Sequence, residues 1–261
     1  MKNLFVAGFI ISILLYLPLD DVSGEEEILI TKSFDINKII FDGIWTFDTE
    51  WKRSSLEQIN TNNGPIYIRT AHQDEFVYVM VNVVSDIHPN KGFDKSIICF
   101  DTDNSKSKIP DESDFCFIAT LGKKTGVTLQ GGSPLKVSSN FKTVKNYNEF
   151  IGMGDISTNT DRYSKIPHSS YEFRIPTDLI GRSDNYGFLV MIIDDYKNTI
   201  NSWPENIEFD KSTYLKIPGP YKWGNLISPD KSLPEIHLMS IVLILSTGMI
   251  IIFSRKIRDM Y

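Results

Sequence analysis

The string Phe76-Val-Tyr-Val-Met-Val-Asn-Val-Val84 constrains the fold more than any other stretch of this chain. Successive side chains on an extended backbone point to opposite faces. Val77, Val79, Val81 and Val83 therefore share one face, and Phe76, Tyr78, Met80 and Asn82 the other. β-Branched residues at every second position suit a pleated strand, and the valine face is expected in the core. Ser96-Ile-Ile-Cys-Phe-Asp101, Phe115-Cys-Phe-Ile-Ala-Thr120, Tyr171-Glu-Phe-Arg-Ile175 and Gly187-Phe-Leu-Val-Met-Ile-Ile-Asp194 read the same way, with Ile66-Tyr-Ile-Arg-Thr70 a shorter candidate. Asn63-Gly64-Pro65, Gly131-Gly132 and Pro218-Gly219-Pro220 supply turns between them. No segment between the two ends carries a sustained helical stripe. Many strands with short polar connections predict an all-β chain, an antiparallel β-sandwich of jelly-roll or immunoglobulin-like kind. Residues 131 to 165 are rich in Ser, Asn, Lys and Gly and predict a long excursion with one or two short strands, of the sort that shapes binding surfaces.

The two ends of the chain are apolar in a different way. Residues 1 to 24 open with Lys2, run through an apolar stretch from Leu4 to Leu19 interrupted only by Ser12, and end in Val22-Ser23-Gly24. A cation, an apolar core and small residues at a cut site describe a secretory signal peptide with a mature start at Glu25. Cleavage one or two residues earlier is equally compatible, and an uncleaved anchor is the alternative. Residues 236 to 253 hold no formal charge beyond that of His237, and eighteen helical residues reach about 27 Å, just enough to cross a bilayer. Apolar residues surround this segment on every side rather than along a stripe, against a buried core helix. Arg255, Lys256 and Arg258 follow at once in the tail 254 to 261 and are expected to stay cytoplasmic. Residues 25 to 227 then form one extracellular ectodomain, residues 228 to 235 a short stalk, and the protein a single-pass component of the cell membrane. With 27 Lys and Arg against 33 Asp and Glu, the net charge of −6 argues against a nucleic-acid partner and against docking on anionic lipid.

Several motifs fall in the order of a known family. Asp42-Gly43-Ile44, Glu50-Trp51-Lys52, Phe76-Val-Tyr-Val with Ser85-Asp86, Ile97-Ile-Cys-Phe-Asp-Thr-Asp-Asn104, Tyr171-Glu-Phe-Arg-Ile-Pro176, and the stretch from Gly187 to Asp195 with Ser202-Trp203-Pro204 resemble the family-nine-like carbohydrate-binding modules and their DOMON relatives over roughly residues 35 to 227. The resemblance implies a ligand-binding β-sandwich, holding in some members a sugar end between aromatic rings and in some DOMON members a haem. Leu233-Pro234-Glu235-Ile236 with the apolar span and basic end resembles the Pro-Glu-Phe sorting tail of archaeal surface proteins, with Ile236 where that pattern has Phe. Retention of the anchor is at least as compatible as processing by a sorting enzyme.

Sugar binding needs flat apolar faces and a few polar groups, which directs attention to tryptophan. Trp51 and Trp223 are expected in the core. Trp203 follows the polar loop from Asp194 to Ser202 and is the candidate exposed platform, with a structural lid as the alternative; Trp45 is the second ligand-binding candidate. The segment 101 to 114 holds five carboxylates, and Asp101, Asp103 and Asp114 are candidates for calcium. It does not form the helix-flanked calcium loop, because Lys106 stands where glycine is required and strands flank it. Cys99 and Cys116 lie on the strands either side of this loop. A hairpin register can place them opposite each other as a disulfide, whereas a slip of one residue leaves two buried thiols. For haem the ligand candidates are His72, His88 and His168 with Met80, Met153 and Met191, and nothing pairs them. No nucleophile elbow or zinc-protease helix is present, and no carboxylate pair stands out by spacing. The sequence thus predicts a membrane-anchored glycan-binding module that is not an enzyme. A haem-bearing electron-transfer module and a structural envelope protein are the alternatives.

Overall fold

In the computed structural model, residues 26–62, 64–135, 139–205, 207 and 216–228 are described. The expected signal peptide, membrane span and basic tail, the sorting-type motif and all of the expected stalk except Ser228 lie outside them. Among the described residues no helix is long and apolar enough to cross a membrane.

The alternating stretches all form strands. Counting from the N-terminus, these are β4 (Gly64–Gln73), β5 (Phe76–Val83), β6 (Lys95–Asp101), β7 (Asp114–Thr120), β11 (Ser169–Pro176) and β12 (Asn185–Asp194). Shorter strands complete the set: β1 (Glu27–Leu29), β2 (Thr31–Lys32), β3 (Glu57–Thr61), β8 (Val127–Gln130), β9 (Lys142–Val144), β10 (Ile151–Ile156), β13 (Thr199–Trp203) and β14 (Gly224–Ile227). The long excursion holds β9 and β10, and one four-residue helix, α1 (Thr177–Ile180), follows β11.

Two sheets face each other. One runs β1-β14-β12-β6-β7-β8-β9 with β13 also on β12, and the other runs β10-β11-β5-β4-β2 with β3 also on β4. Pairing is antiparallel as expected except at β1 with β14 and β2 with β4, which are parallel. Both exceptions arise because the chain between Glu27 and Lys32 switches from one sheet to the other as two very short edge strands.

The valine face of β5 packs between the sheets with Phe100, Phe117, Phe173 and Phe188. Its other face is buried too. Tyr78 and Met80 pack under Ile36, Ile39, Trp45 and Trp51 from the segment that precedes β3. Glu172 fixes that cover: its carboxylate accepts from the backbone N–H of Asp42 (3.1 Å) and Gly43 (2.8 Å) and from the indole of Trp51 (2.9 Å). Gly43 lies at φ +91°, and a Cβ there would meet the Asp155 nitrogen at 2.6 Å, so this close approach requires glycine. The outer face of the eight-stranded sheet is covered by Phe141, Ile217 and Trp223.

Candidate functional site

Trp203, the expected aromatic platform, is buried, only 3% exposed. Its ring turns inward against Phe188, with centroids 5.9 Å apart, because β13 pairs with the central strand β12 and Trp203 stands opposite Val190. Trp45 is equally buried. Its indole N–H donates to the Phe47 carbonyl (2.6 Å), the Arg69 and Arg162 guanidiniums stand 5.2 and 5.5 Å from its ring, and Tyr163 meets it edge-on at 5.8 Å. Neither indole offers a free face to a sugar. Trp51 and Trp223 are buried as expected.

The acidic turn also has a structural explanation. Asp101 accepts the backbone N–H of Ser105 (3.0 Å) and Lys106 (2.9 Å), Asp103 the hydroxyl of Ser113 (3.0 Å), and Asp114 the N–H of Asp111 (2.7 Å). Among the described residues no three His, Cys, Asp or Glu side chains gather as ligands for one metal ion. The expected calcium ligands Asp101, Asp103 and Asp114 therefore close the turn instead. Burial, reinforced by the negative neighbours Asp101, Asp111 and Asp103, pushes the Asp114 carboxyl up to about 8, so at neutral pH it is largely a neutral group. Cys99 and Cys116 are direct partners in the β6–β7 register and are joined as a disulfide. It lies on the outer face of the sheet beside Leu189, Met191 and Trp223.

An exposed aromatic surface lies at the loop end of the sandwich, where β5 leaves toward β6 and β12 turns into β13. Asp194 pairs with Thr199, so the β12–β13 hairpin turns through Asp195-Tyr196-Lys197-Asn198. Asn198 takes φ +50°, a conformation asparagine tolerates better than most residues. Tyr196 consequently sits at the tip, 65% exposed, with its ring centroid 4.6 Å from that of exposed His88. Phe93 and Ile87 are exposed on the neighbouring loop.

Buried polar groups hold the two loops together beneath this surface. Asp94 accepts the backbone N–H of Asp195 (2.8 Å) and that of Asn90, and the Asn90 amide donates to Asp195 (2.9 Å). Lys197 pairs with Asp194 (3.1 Å) and donates to the Ser85 carbonyl (2.7 Å). Asp86 accepts from the Ser169 hydroxyl and from the His88 N–H (3.1 Å). Burial raises the Asp94 carboxyl above its ordinary range, with Asp86 and Asp194 pushing the same way. Side-chain anchors of this kind preorganise a loop, so a ligand meets a surface already in place.

Among the described residues, His168 and His88 contact groups other than methionine. His168 is fully buried, its Nε2 2.7 Å from the Asn82 oxygen and its Nδ1 2.9 Å from the Ser157 hydroxyl. His72 lines a cavity of about 30 Å³ with no methionine in its wall, far too small for a tetrapyrrole. His88 is committed to the Tyr196 ring. A larger cavity of about 260 Å³ below the N-terminal cover is lined by Lys38, Lys52 and Arg53, but each cation is already paired with Asp35 or Asp48.

Sequence reasoning passed over Tyr196 and considered His88 only as a haem ligand. The signal was present in the polar loop that drew attention to Trp203, whose own aromatic is Tyr196. A turn residue stays exposed, whereas Trp203 on a strand is drawn into the core.

No protein-family model matches the chain, and no curated protein matches it in sequence. Among solved structures it is similar to a family 9 carbohydrate-binding module from Caldicellulosiruptor kristjanssonii in complex with cellotriose, at 13% identity and a TM-score of 0.47, covering 78% of this chain and 93% of that one. The glucose complex of a family 9 module from the same organism gives 13% identity, a TM-score of 0.43 and coverages of 78% and 95%.

Proposed function

We propose that this chain is an exported, membrane-tethered glycan-binding module that acts by binding rather than catalysis, with the Tyr196–His88 pair as its sugar platform. The observation that carries the reading is an exposed aromatic pair on two loops locked by buried carboxylates, with Asp195, Asn90 and Lys197 close by. An aromatic face accepts the axial C–H groups of a sugar, and neighbouring amides, carboxylates and ammonium groups take its hydroxyls.

The topology supports display. The Ser228 N–H donates to the Asp184 carbonyl (2.8 Å) beside the first residue of β12, whereas Tyr196 lies two residues beyond its last. Ten residues of extended strand separate those ends by about 30 Å. With residues 236 to 253 in a membrane and the basic tail in the cytoplasm, the platform faces away from the bilayer. Protease protection of the tail in intact cells, with the ectodomain accessible, is the expected topology.

The binding test uses the full chain in mild detergent on a glycan array, followed by calorimetry. Tyr196→Ala is expected to weaken the best glycan at least tenfold, about 1.4 kcal/mol, and Tyr196→Phe to retain it. An array with no bound glycan overturns the glycan reading, and a Tyr196→Ala variant that binds like the parent overturns the platform.

A further inference from the structure

A second polar surface adjoins the platform. β14 and β13 occupy successive halves of one edge of β12, and β2 and β3 successive halves of one edge of β4. In the eight-stranded sheet β1 covers β14 and leaves β13 as an open edge, and in the other sheet β3 is an edge strand. Between β13 and β3 lies a cleft of about 240 Å³. Ile59, Ile200 and Ile207 contribute its apolar lining, and Asn60, Asn62, Asn201 and Glu205 its polar one. Among the described residues no Lys, Arg or His lines it.

That lining selects a chemistry. A carboxamide offers two donors and an acceptor and a carboxylate accepts several hydrogen bonds, which together match vicinal hydroxyls. Isoleucine faces take ring C–H groups. Among the described residues an anionic ligand would meet Glu205 and no cation.

The cleft is tied to the platform through the same loops. Thr199 opens β13 three residues after Tyr196. Lys197 donates to the Ser85 carbonyl, and the Ser85 N–H donates to the Pro65 carbonyl (3.2 Å) in the β3–β4 hairpin. Both hairpins and the loop carrying His88 are therefore mutually braced.

Resting on the glycan reading above, we propose that the β3–β13 cleft is an extension subsite, so that a neutral oligosaccharide lies with one part on the Tyr196 platform and continues along the edge strands. The protein then recognises a chain of uncharged sugars rather than a single sugar end. Five residues of β13 supply a track of roughly 17 Å, long enough for several rings.

The test is calorimetry of the full chain in detergent with neutral gluco-, xylo- and manno-oligosaccharides of one to six residues, and with oligogalacturonates as anionic counterparts. For the wild type, affinity for the preferred neutral series is expected to rise at least tenfold between the disaccharide and the hexasaccharide, with oligogalacturonates bound more weakly. Combined Asn201→Ala and Glu205→Ala is expected to erase the gain with length and leave disaccharide affinity unchanged, while Tyr196→Ala weakens both. An unchanged thermal midpoint in the double variant separates loss of contacts from loss of fold. Affinity that does not grow with length, or a double variant that keeps the gain, overturns the subsite while leaving the platform standing. Failure of every sugar to bind the wild type overturns the glycan reading and the subsite with it.

Discussion

Replacing Asp114 by Asn should stabilise this protein at alkaline pH and do little in acid. Asp114 begins β7 directly opposite Asp101 and is fully buried. Its Oδ2 accepts the Asp111 N–H at 2.7 Å, while its Oδ1 has no hydrogen-bond partner among the described residues. An unfolded aspartate releases its proton near pH 4, whereas burial and the neighbouring carboxylates hold this one up to about 8. Between those values the folded chain carries a proton that the unfolded chain has lost. Stability therefore falls as pH rises through the window and levels off above about 8. At ~1.36 kcal/mol per pH unit the ceiling is about 6 kcal/mol. Relaxation around a buried charge reduces such effects severalfold, leaving roughly 2 kcal/mol. Asparagine keeps an acceptor for Asp111, cannot ionise, and turns the unpartnered oxygen into a donor aimed among carboxylates. Urea unfolding of the full chain in EDTA should give similar midpoints for wild type and Asp114→Asn at pH 4.5. At pH 8.5 the variant should be more stable by about 2 kcal/mol. Equal destabilisation of the variant at both pH values would refute the argument, because it would mean that the Asp114 carboxylate is charged and satisfied in the folded state.

Three further perturbations probe other parts of the fold. Cys99→Ala with Cys116→Ala opens a loop spanning a sequence separation of 17, and a loss of about 3 kcal/mol in urea unfolding is expected. Glu172→Gln leaves one of the N–H groups of Asp42, Gly43 and Trp51 facing an amide N–H. Roughly 2 kcal/mol of lost stability and faster hydrogen exchange in residues 36 to 51 should follow. Trp203→Ala empties a core position and should cost about 3–5 kcal/mol, whereas Trp203→Phe should keep the fold and the full glycan affinity. Weak glycan binding by a folded Trp203→Phe protein would restore Trp203 as a ligand contact.

The sheets were legible because period two is imposed by the backbone itself. Each of the alternating stretches became a strand, and the valines of β5 entered the core. Strands β1, β2, β3 and β13 were not legible, since two to five residues on an edge carry too short a pattern to distinguish from loop. The second burial of β5 was hidden for a different reason. Tyr78 and Met80 would suit a half-exposed face equally well, and only the path of residues 36 to 51, drawn over them by Glu172, decides the matter.

Trp203 shows how the burial of a residue can depend on its place in the sheet more than on its type. In the search for an exposed aromatic face, residue type was given more weight than position. Tryptophan has the largest surface to bury, and a strand beside β12 gives Trp203 the means to bury it. Tyr196, in a hairpin whose tightness depends on Asn198 at positive φ, has no inward direction available and stays outside. The carboxylates were misread in the same sense. Asp101, Asp103 and Asp114 are close in sequence, but their oxygens satisfy the backbone of the turn that brings them together. Asp94 and Asp195, 101 residues apart, brace the loops beneath the platform. Proximity along the chain favours turn closure, because a short turn leaves its own N–H groups within reach of the nearest carboxylate. Long-range braces depend on strand register, and the register of β6 and β12 could be read only once the sheet was assembled.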